Sequence, residues 1–256
     1  MSRERNTRPF TARSVILSVL LGTEPPRLPV SLLVSTTALF GITENTTRTA
    51  LSRMAAAGEV RADDGWYEIA SPRLLERQAR QVASRRGDTT DWSGEWIQAV
   101  VATDEARPAS ERTALRAAMA TRRLAELREG VWLRPDNLDD RPAPETAPLH
   151  WFRCRLDGDP AELASSLWDL DAWAERAETL RVELAELTGP LEADDRAVLA
   201  EGFVLSADVL RHLQADPLLP AELVGSGWPG DALRADYQRY DSAYRSVLRR
   251  WFDQHR

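Results

Sequence analysis

The stretch from Gly41 to Ala70 constrains this chain more than any other. Thr47, Ala50, Leu51 and Met54 recur at helical spacing, so a helix here buries one narrow stripe. The other side of that helix carries Asn45, Thr46, Arg48, Thr49, Ser52 and Arg53, short hydrogen-bonding groups plus two guanidinium forks. Gly58 stands where a left-handed cap ends a helix. Val60-Arg61-Ala62 and Trp66-Tyr67-Glu68-Ile69 then flank Asp63-Asp64-Gly65, and an Asp-Gly step between two short strand-like runs is a strong hairpin signal. A glycine-capped helix running directly into a hairpin is the element order of a winged helix-turn-helix.

That order makes duplex DNA the expected partner. Asn45, Thr46, Arg48, Thr49, Ser52, Arg53 and Arg61 are the candidate DNA-binding residues. Arg48 or Arg53 suits guanine in the major groove, Asn45 suits adenine or a phosphate, and Arg61 suits a phosphate or the minor groove. A two-fold homodimer sets two such helices about 34 Å apart, or a multiple of that, on a pseudopalindromic operator. Charge at first argues the other way, because the 256-residue chain has a formal net charge of −7. Its distribution reverses the argument: residues 1–90 carry 13 Arg against 9 acids, whereas the remainder carries 20 Arg against 31. A basic head on an acidic body fits a DNA-reading unit joined to a sensing or assembly body.

Upstream, helices are expected over Ala12 to Leu21 and Ser31 to Phe40, with Pro25, Pro26 and Pro29 bracketing a turn. Downstream, Leu74, Leu75, Gln78 and Val82 mark a connecting helix from Arg73 to Arg86. A second unit follows Gly87. Strands are expected at Glu95 to Ala102, Val131 to Leu133 and Leu149 to Leu156, with helices at Ser110 to Glu129 and Ala161 to Trp168. This β-α-β-β-α order points to a ferredoxin-like unit. From Asp169 the pattern is helical, broken at Gly189-Pro190 and between Asp216 and Gly230. The expected fold is α+β, multidomain and helix-rich: a winged helix-turn-helix with its connecting helix over 1–88, a ferredoxin-like central domain over 89–168, and a helical C-terminal domain over 169–256.

Several other functions find little support. The single Cys154 excludes an internal disulfide and a multi-cysteine zinc site, and a reducing cytoplasm is the expected compartment. The apolar run Val15 to Leu21 is too short for a secretory signal with a cleavage site, and no stretch reaches the roughly 20 apolar residues that span a bilayer. Gly225-Ser226-Gly227-Trp228-Pro229-Gly230 matches a dinucleotide fingerprint, but no strand precedes it, and a turn seating Trp228 is the expected reading. Asp104 is the one candidate for a metal-dependent nuclease; no cluster of carboxylates or histidines accompanies it, and His150, His212 and His255 are scattered. No catalytic residue, metal or cofactor is therefore expected, and the alternatives to a DNA-binding regulator are that nuclease or a non-enzymatic assembly protein. Trp92, Trp96, Trp132, Trp151, Trp168, Trp173 and Trp228 either pack the acidic body or line an apolar pocket there, where Arg134 or Arg153 would meet phosphates.

Four separated segments carry a resemblance to a known family. They are Asn45 to Met54 with Gly58, Gly130-Val131-Trp132-Leu133-Arg134-Pro135, Leu167-Trp168-Asp169-Leu170-Asp171-Ala172-Trp173, and Asp216-Pro217-Leu218-Leu219-Pro220-Ala221-Glu222-Leu223 followed by Trp228-Pro229-Gly230. In that order they resemble the PaaX family of bacterial regulators of phenylacetate degradation. The resemblance implies a homodimeric repressor that binds operator DNA through an N-terminal winged helix and is released by an aryl-CoA or acyl-CoA thioester. It assigns no residue to the effector.

Overall fold

The computed structural model describes residues 11–102, 108–139 and 149–253. It is a mixed helix-and-sheet protein with two antiparallel sheets, one of three strands and one of four. The chain forms two compact units: one from the residues up to Arg85 with 182–210 and 236–256, the other from 86–181 with 211–235.

The first unit begins with α1 (Ala12–Leu21), whose start is fixed by a reciprocal cap between Thr11 and Ser14. β1 (Arg27–Pro29), α2 (Val30–Ala38), α3 (Glu44–Ala56), β2 (Val60–Asp63), β3 (Trp66–Ile69) and α4 (Pro72–Arg86) follow. The three strands lie in the order β1-β3-β2. Asp64 and Gly65 both have positive φ, 43° and 77°, between the paired Asp63 and Trp66, so the hairpin closes with a type I′ turn. β1 is an addition to the sequence reading, which places only a turn there. Its three residues are strand solely because Arg27, Leu28 and Pro29 pair with Glu68, Tyr67 and Trp66.

One apolar cluster binds these elements: Ile16, Leu17, Leu20 and Leu21 of α1, Leu33 of α2, Leu51 and Met54 of α3, with Leu28, Val60 and Ile69 from the sheet. The angle between α2 and α3 has a polar fastening, the buried hydroxyls of Thr37 and Thr47 at 2.6 Å. α4 is the expected connecting helix, but its buried face departs from the expected stripe at Leu75. Gln78, Gln81 and Ser84 are its buried residues while Leu75 is exposed, because the facing surface offers hydrogen bonds: Gln78 Nε2 donates to Thr23 O at 2.6 Å.

The same unit holds parts of three long helices, α7 (Leu170–Glu192), α8 (Leu199–Gln214) and α10 (Gly230–Asp253). The break expected at Gly189-Pro190 is not there. α7 continues through Pro190 to Glu192, since a proline removes one donor only and the fully buried Leu191 anchors the last turn; the chain turns at Asp194, φ 64°. Tyr237, Tyr240 and Tyr244 line α10 as a buried aromatic row. Tyr237 meets Ser206 Oγ at 2.8 Å and Tyr244 donates to Leu199 O at 3.0 Å. Burial pushes the Tyr237 hydroxyl up to about 12. Gly202 of α8 makes room for this row, because a Cβ there would fall 2.5 Å from Tyr240 Oη.

The second unit is built on β4 (Glu95–Val101), α5 (Ala109–Thr121), β5 (Ala125–Arg128), β6 (Val131–Pro135), β7 (Leu149–Arg155) and α6 (Pro160–Leu167). Its strands lie in the order β5-β6-β4-β7, all antiparallel to their neighbours. The helix expected to reach Glu129 stops at Thr121. Arg123 adopts φ 61°, and Ala125 and Glu126 turn away to pair with Leu133 and Trp132 in a hairpin around Gly130, which overrides the helical spacing. One sheet face, with Ala99 and Trp132, packs on Leu115, Met119 and Leu124. The other, with Trp96 and Leu133, packs on Ala164, Leu219 and Leu223; the last belongs to the short α9 (Ala221–Val224).

The glycine-rich stretch forms a turn, as expected, and no strand leads into it. Gly225 ends α9 at φ 75°, and Trp228 stacks on Trp173 at 4.5 Å. His212 stacks on the same indole at 4.4 Å, and its Nε2 lies 3.0 Å from Trp173 O. Burial lowers the His212 pKa, the hydrogen bond opposing it. The unfolded chain therefore binds a proton at His212 before the folded chain does. Stability is expected to fall as pH drops below about 6.5, the unfolded value, and His212→Gln should flatten that part of a stability curve measured by denaturant titration.

Candidate nucleic-acid interface

α3 is a 13-residue helix with its start and stop both encoded locally. Thr43 is the N-cap, its hydroxyl accepting from Thr46 N at 3.3 Å. At the other end Gly58 adopts φ 68°, Gly58 N donates to Ala55 O and Glu59 N to Met54 O, which is a Schellman closure. Thr43→Ala is expected to lower stability by about 1 kcal/mol in chemical denaturation.

The buried stripe of α3 is Thr47, Leu51 and Met54, with Ala50 partly covered. At 100° per residue the pole opposite that stripe falls on Asn45, Thr49, Ser52 and Ala56, a ridge of small or short polar side chains. Arg48 flanks the ridge on one side, with Glu44 one turn before it. Arg53 flanks it on the other, with Thr46. All six residues singled out on α3, and Arg61 on β2, are exposed. Thr49 spends its hydroxyl on Asn45 O at 2.8 Å, and Thr46 shares its own with Thr43 at 2.9 Å. Among the described residues the side chains of Asn45 and Ser52 have no such commitment.

Asn45, Thr46, Thr49 and Arg53 line an open cleft of about 540 Å³ together with Thr11, Ala12, Arg13, Ala57 and Glu59. Arg48, Ser52 and Arg61 lie outside it. Thr11, Arg13 and Glu59 escape the sequence reading: Arg13 and Glu59 are 46 residues apart, and only the packing of α1 on α3 brings them together. Arg13 Nε donates to Glu59 Oε2 at 3.0 Å and its Nη2 to Oε1, and this bond is the main reason the Glu59 carboxyl titrates below its ordinary value. Arg61 pairs with Glu68 directly opposite on β3.

The result is a short polar ridge with one arginine on each flank. Short side chains of this kind permit close approach to a groove, and guanidinium groups can pair with guanine edges or phosphates. Exposed carboxylates beside those arginines oppose a purely electrostatic attraction.

Among the described residues no three His, Cys, Asp or Glu are placed to hold a metal ion. Asp104 and His255 lie outside the described residues. Arg153 is paired with Asp136 at 2.8 Å and Arg134 is buried in β6. Of the seven tryptophans singled out in the acidic body, Trp96, Trp132 and Trp173 are buried, Trp92, Trp151 and Trp168 pack against the two sheet-face clusters, and Trp228 stacks on Trp173. No described helix is long and apolar enough to cross a membrane.

Residues 11–70 match the PaaX-like protein family, and residues 168–254 match the PaaX-like protein C-terminal domain. No curated protein matches significantly. A solved structure, an uncharacterized protein Rv0674 from Mycobacterium tuberculosis, is similar at 42% identity over 93% of this chain and 97% of that one, with a TM-score of 0.73. The matches at both ends of the chain and this full-length similarity identify it as a member of the PaaX-like family, which includes transcriptional regulators.

Proposed function

We propose that the chain is a sequence-specific, non-enzymatic DNA-binding repressor of the cytoplasm, acting as a homodimer on a two-fold operator and released by an aryl- or acyl-CoA thioester. The observation that carries this reading is the α3 ridge: Asn45, Thr49 and Ser52 outermost, with Arg48 and Arg53 on its flanks. In this reading α1 to β3 form a winged helix-turn-helix whose wing is the Asp64-Gly65 hairpin. With its connecting helix it occupies 1–88. A ferredoxin-like domain spans 89–168, supported by the split arrangement in which β6 lies between β4 and β5. The helical domain spans 169–256. An effector releases DNA only through unequal affinity for two arrangements of the reader helices.

Footprinting on DNA flanking the chain's own gene tests the reading. A protected, symmetric site that is lost on adding phenylacetyl-CoA or a related thioester is the expected result. Sequence-independent binding, or binding unchanged in the Arg48→Ala, Arg53→Ala double variant, would overturn it.

A further inference from the structure

Most of the exposed arginines of residues 11–70 are held by carboxylates. Residues 11–70 contain five Arg (Arg13, Arg27, Arg48, Arg53 and Arg61) against six acids, so this segment is net negative although it contains the candidate interface. The structure pairs four of the five. Arg13 is gripped by Glu59 through two bonds; Arg48 Nε donates to Glu44 Oε1 at 2.7 Å; Arg27 Nη2 donates to Asp63 Oδ2 at 3.1 Å while lying over the Trp66 ring; Arg61 faces Glu68 across the sheet. Among the described residues Arg53 has no ion pair.

We propose that Glu44, Glu59, Asp63 and Glu68 are specificity-determining residues: they mask their arginines from the sequence-independent attraction of phosphates, so that stable binding requires the base contacts of the α3 ridge. This rests on the DNA-binding reading given above. Non-specific affinity comes almost wholly from Lys and Arg replacing counterions on phosphates. An arginine already neutralised by a carboxylate releases fewer counterions, and the carboxylate itself is repelled by the backbone. Exposed pairs of this kind are weak, so a correctly placed phosphate or guanine displaces the acid and the mask is reversible. Glu44 has a second use, because a carboxylate beside the reading ridge can accept from cytosine N4.

The four pairs are dispersed over α1, α3 and the sheet rather than gathered in one structural network. A role in stability alone predicts that removing the acids weakens the fold and leaves the salt dependence of DNA binding untouched. Masking predicts the opposite.

The test uses the full chain with Glu44→Gln, Glu59→Gln, Asp63→Asn and Glu68→Gln, singly and combined. Affinity for a random-sequence 30-base-pair duplex is measured from about 50 to 200 mM salt, beside affinity for the site found by footprinting. Each unmasked arginine that reaches a phosphate should steepen the log-log salt slope by about 0.9, equivalent to about a 3.5-fold larger gain on a fourfold dilution of salt. Random-duplex affinity should rise in the combined variant, and the ratio of specific to random affinity should fall. Thermal unfolding of each variant controls for folding, and the near-isosteric single variants keep the test open should the combined one unfold. If wild type discriminates its site but the variants bind random duplex no better and with an unchanged slope, the masking proposal alone is overturned. Failure of wild type to bind any duplex would overturn the functional reading, and masking with it.

Discussion

Replacing Asp216 by alanine is expected to destabilise the second unit by about 3–5 kcal/mol, the usual result of leaving one buried charge without its partner. Asp216 has a fully buried side chain, and Arg234, 8% exposed, donates to its Oδ2 at 2.6 Å. Its other oxygen accepts from Leu218 N at 2.9 Å, fixing the turn after α8 where Leu218 adopts φ 52°. Asn137 Nδ2 donates to Leu218 O at 2.8 Å and Arg123 to Asp216 O, so strand β6 and the end of α5 converge on the same loop. Asp231 is also 3.7 Å from Arg234, but it is exposed, so that contact is weak. Gly87→Ala strikes the same guanidinium from another side: its Cβ would fall 2.3 Å from Arg234 Nε at a φ of +68°, so both strain and displacement of the arginine follow. Denaturant unfolding monitored by tryptophan fluorescence should show both losses. The pair Asp216→Ala with Arg234→Met should lose less than the two single losses added, because no buried charge is left alone. A loss below about 1 kcal/mol for Asp216→Ala would contradict this account of the loop.

The Arg48→Ala, Arg53→Ala double variant is expected to lose about 2–6 kcal/mol of binding to its specific site, or about thirtyfold to twenty-thousandfold. The range follows from about 1–3 kcal/mol for each bidentate arginine–guanine pair. Both side chains are exposed, so folding should hardly change. Arg48 must first leave Glu44, at small cost, whereas Arg53 has no such bond to break. Arg53→Ala should therefore show the full loss of a contact, and Arg48→Ala a loss reduced by the cost of breaking the Arg48–Glu44 pair on binding. Titrations at fixed salt against the specific site and an unrelated duplex separate the two effects.

How much of this was legible in the sequence depended on the range of the interactions. α1 at Ala12–Leu21, the glycine end of α3 and the Asp-Gly hairpin rest on neighbours within a turn of each other, and the structure places them where the sequence does. β1 is not legible because it is a strand only by virtue of a distant partner, Glu68 to Trp66; β5 pairs with the neighbouring Val131 to Leu133 in a hairpin, and it is hidden by the helical spacing that runs on into it. Leu115, Met119, Arg122 and Leu127 do keep helical spacing, yet the left-handed Arg123 ends the helix between them. A local rule makes Pro190 a break, and the burial of Leu191 overrides it. At the interface, the exposed ridge of α3 follows from periodicity alone. The cleft does not, since Arg13 and Glu59 meet only in three dimensions, and neither does the pairing that masks four arginines.

The central claim is that the outer ridge of α3 enters the major groove of duplex DNA. Its most direct test attaches an iron-chelate cleavage reagent to Ser52→Cys in a chain whose sole cysteine has been removed by Cys154→Ala. Cutting confined to major-groove positions of the specific site, in two clusters about 10 base pairs apart or a multiple of that, is the result predicted. Cutting spread evenly along the duplex, or none while the protein remains bound, would contradict it.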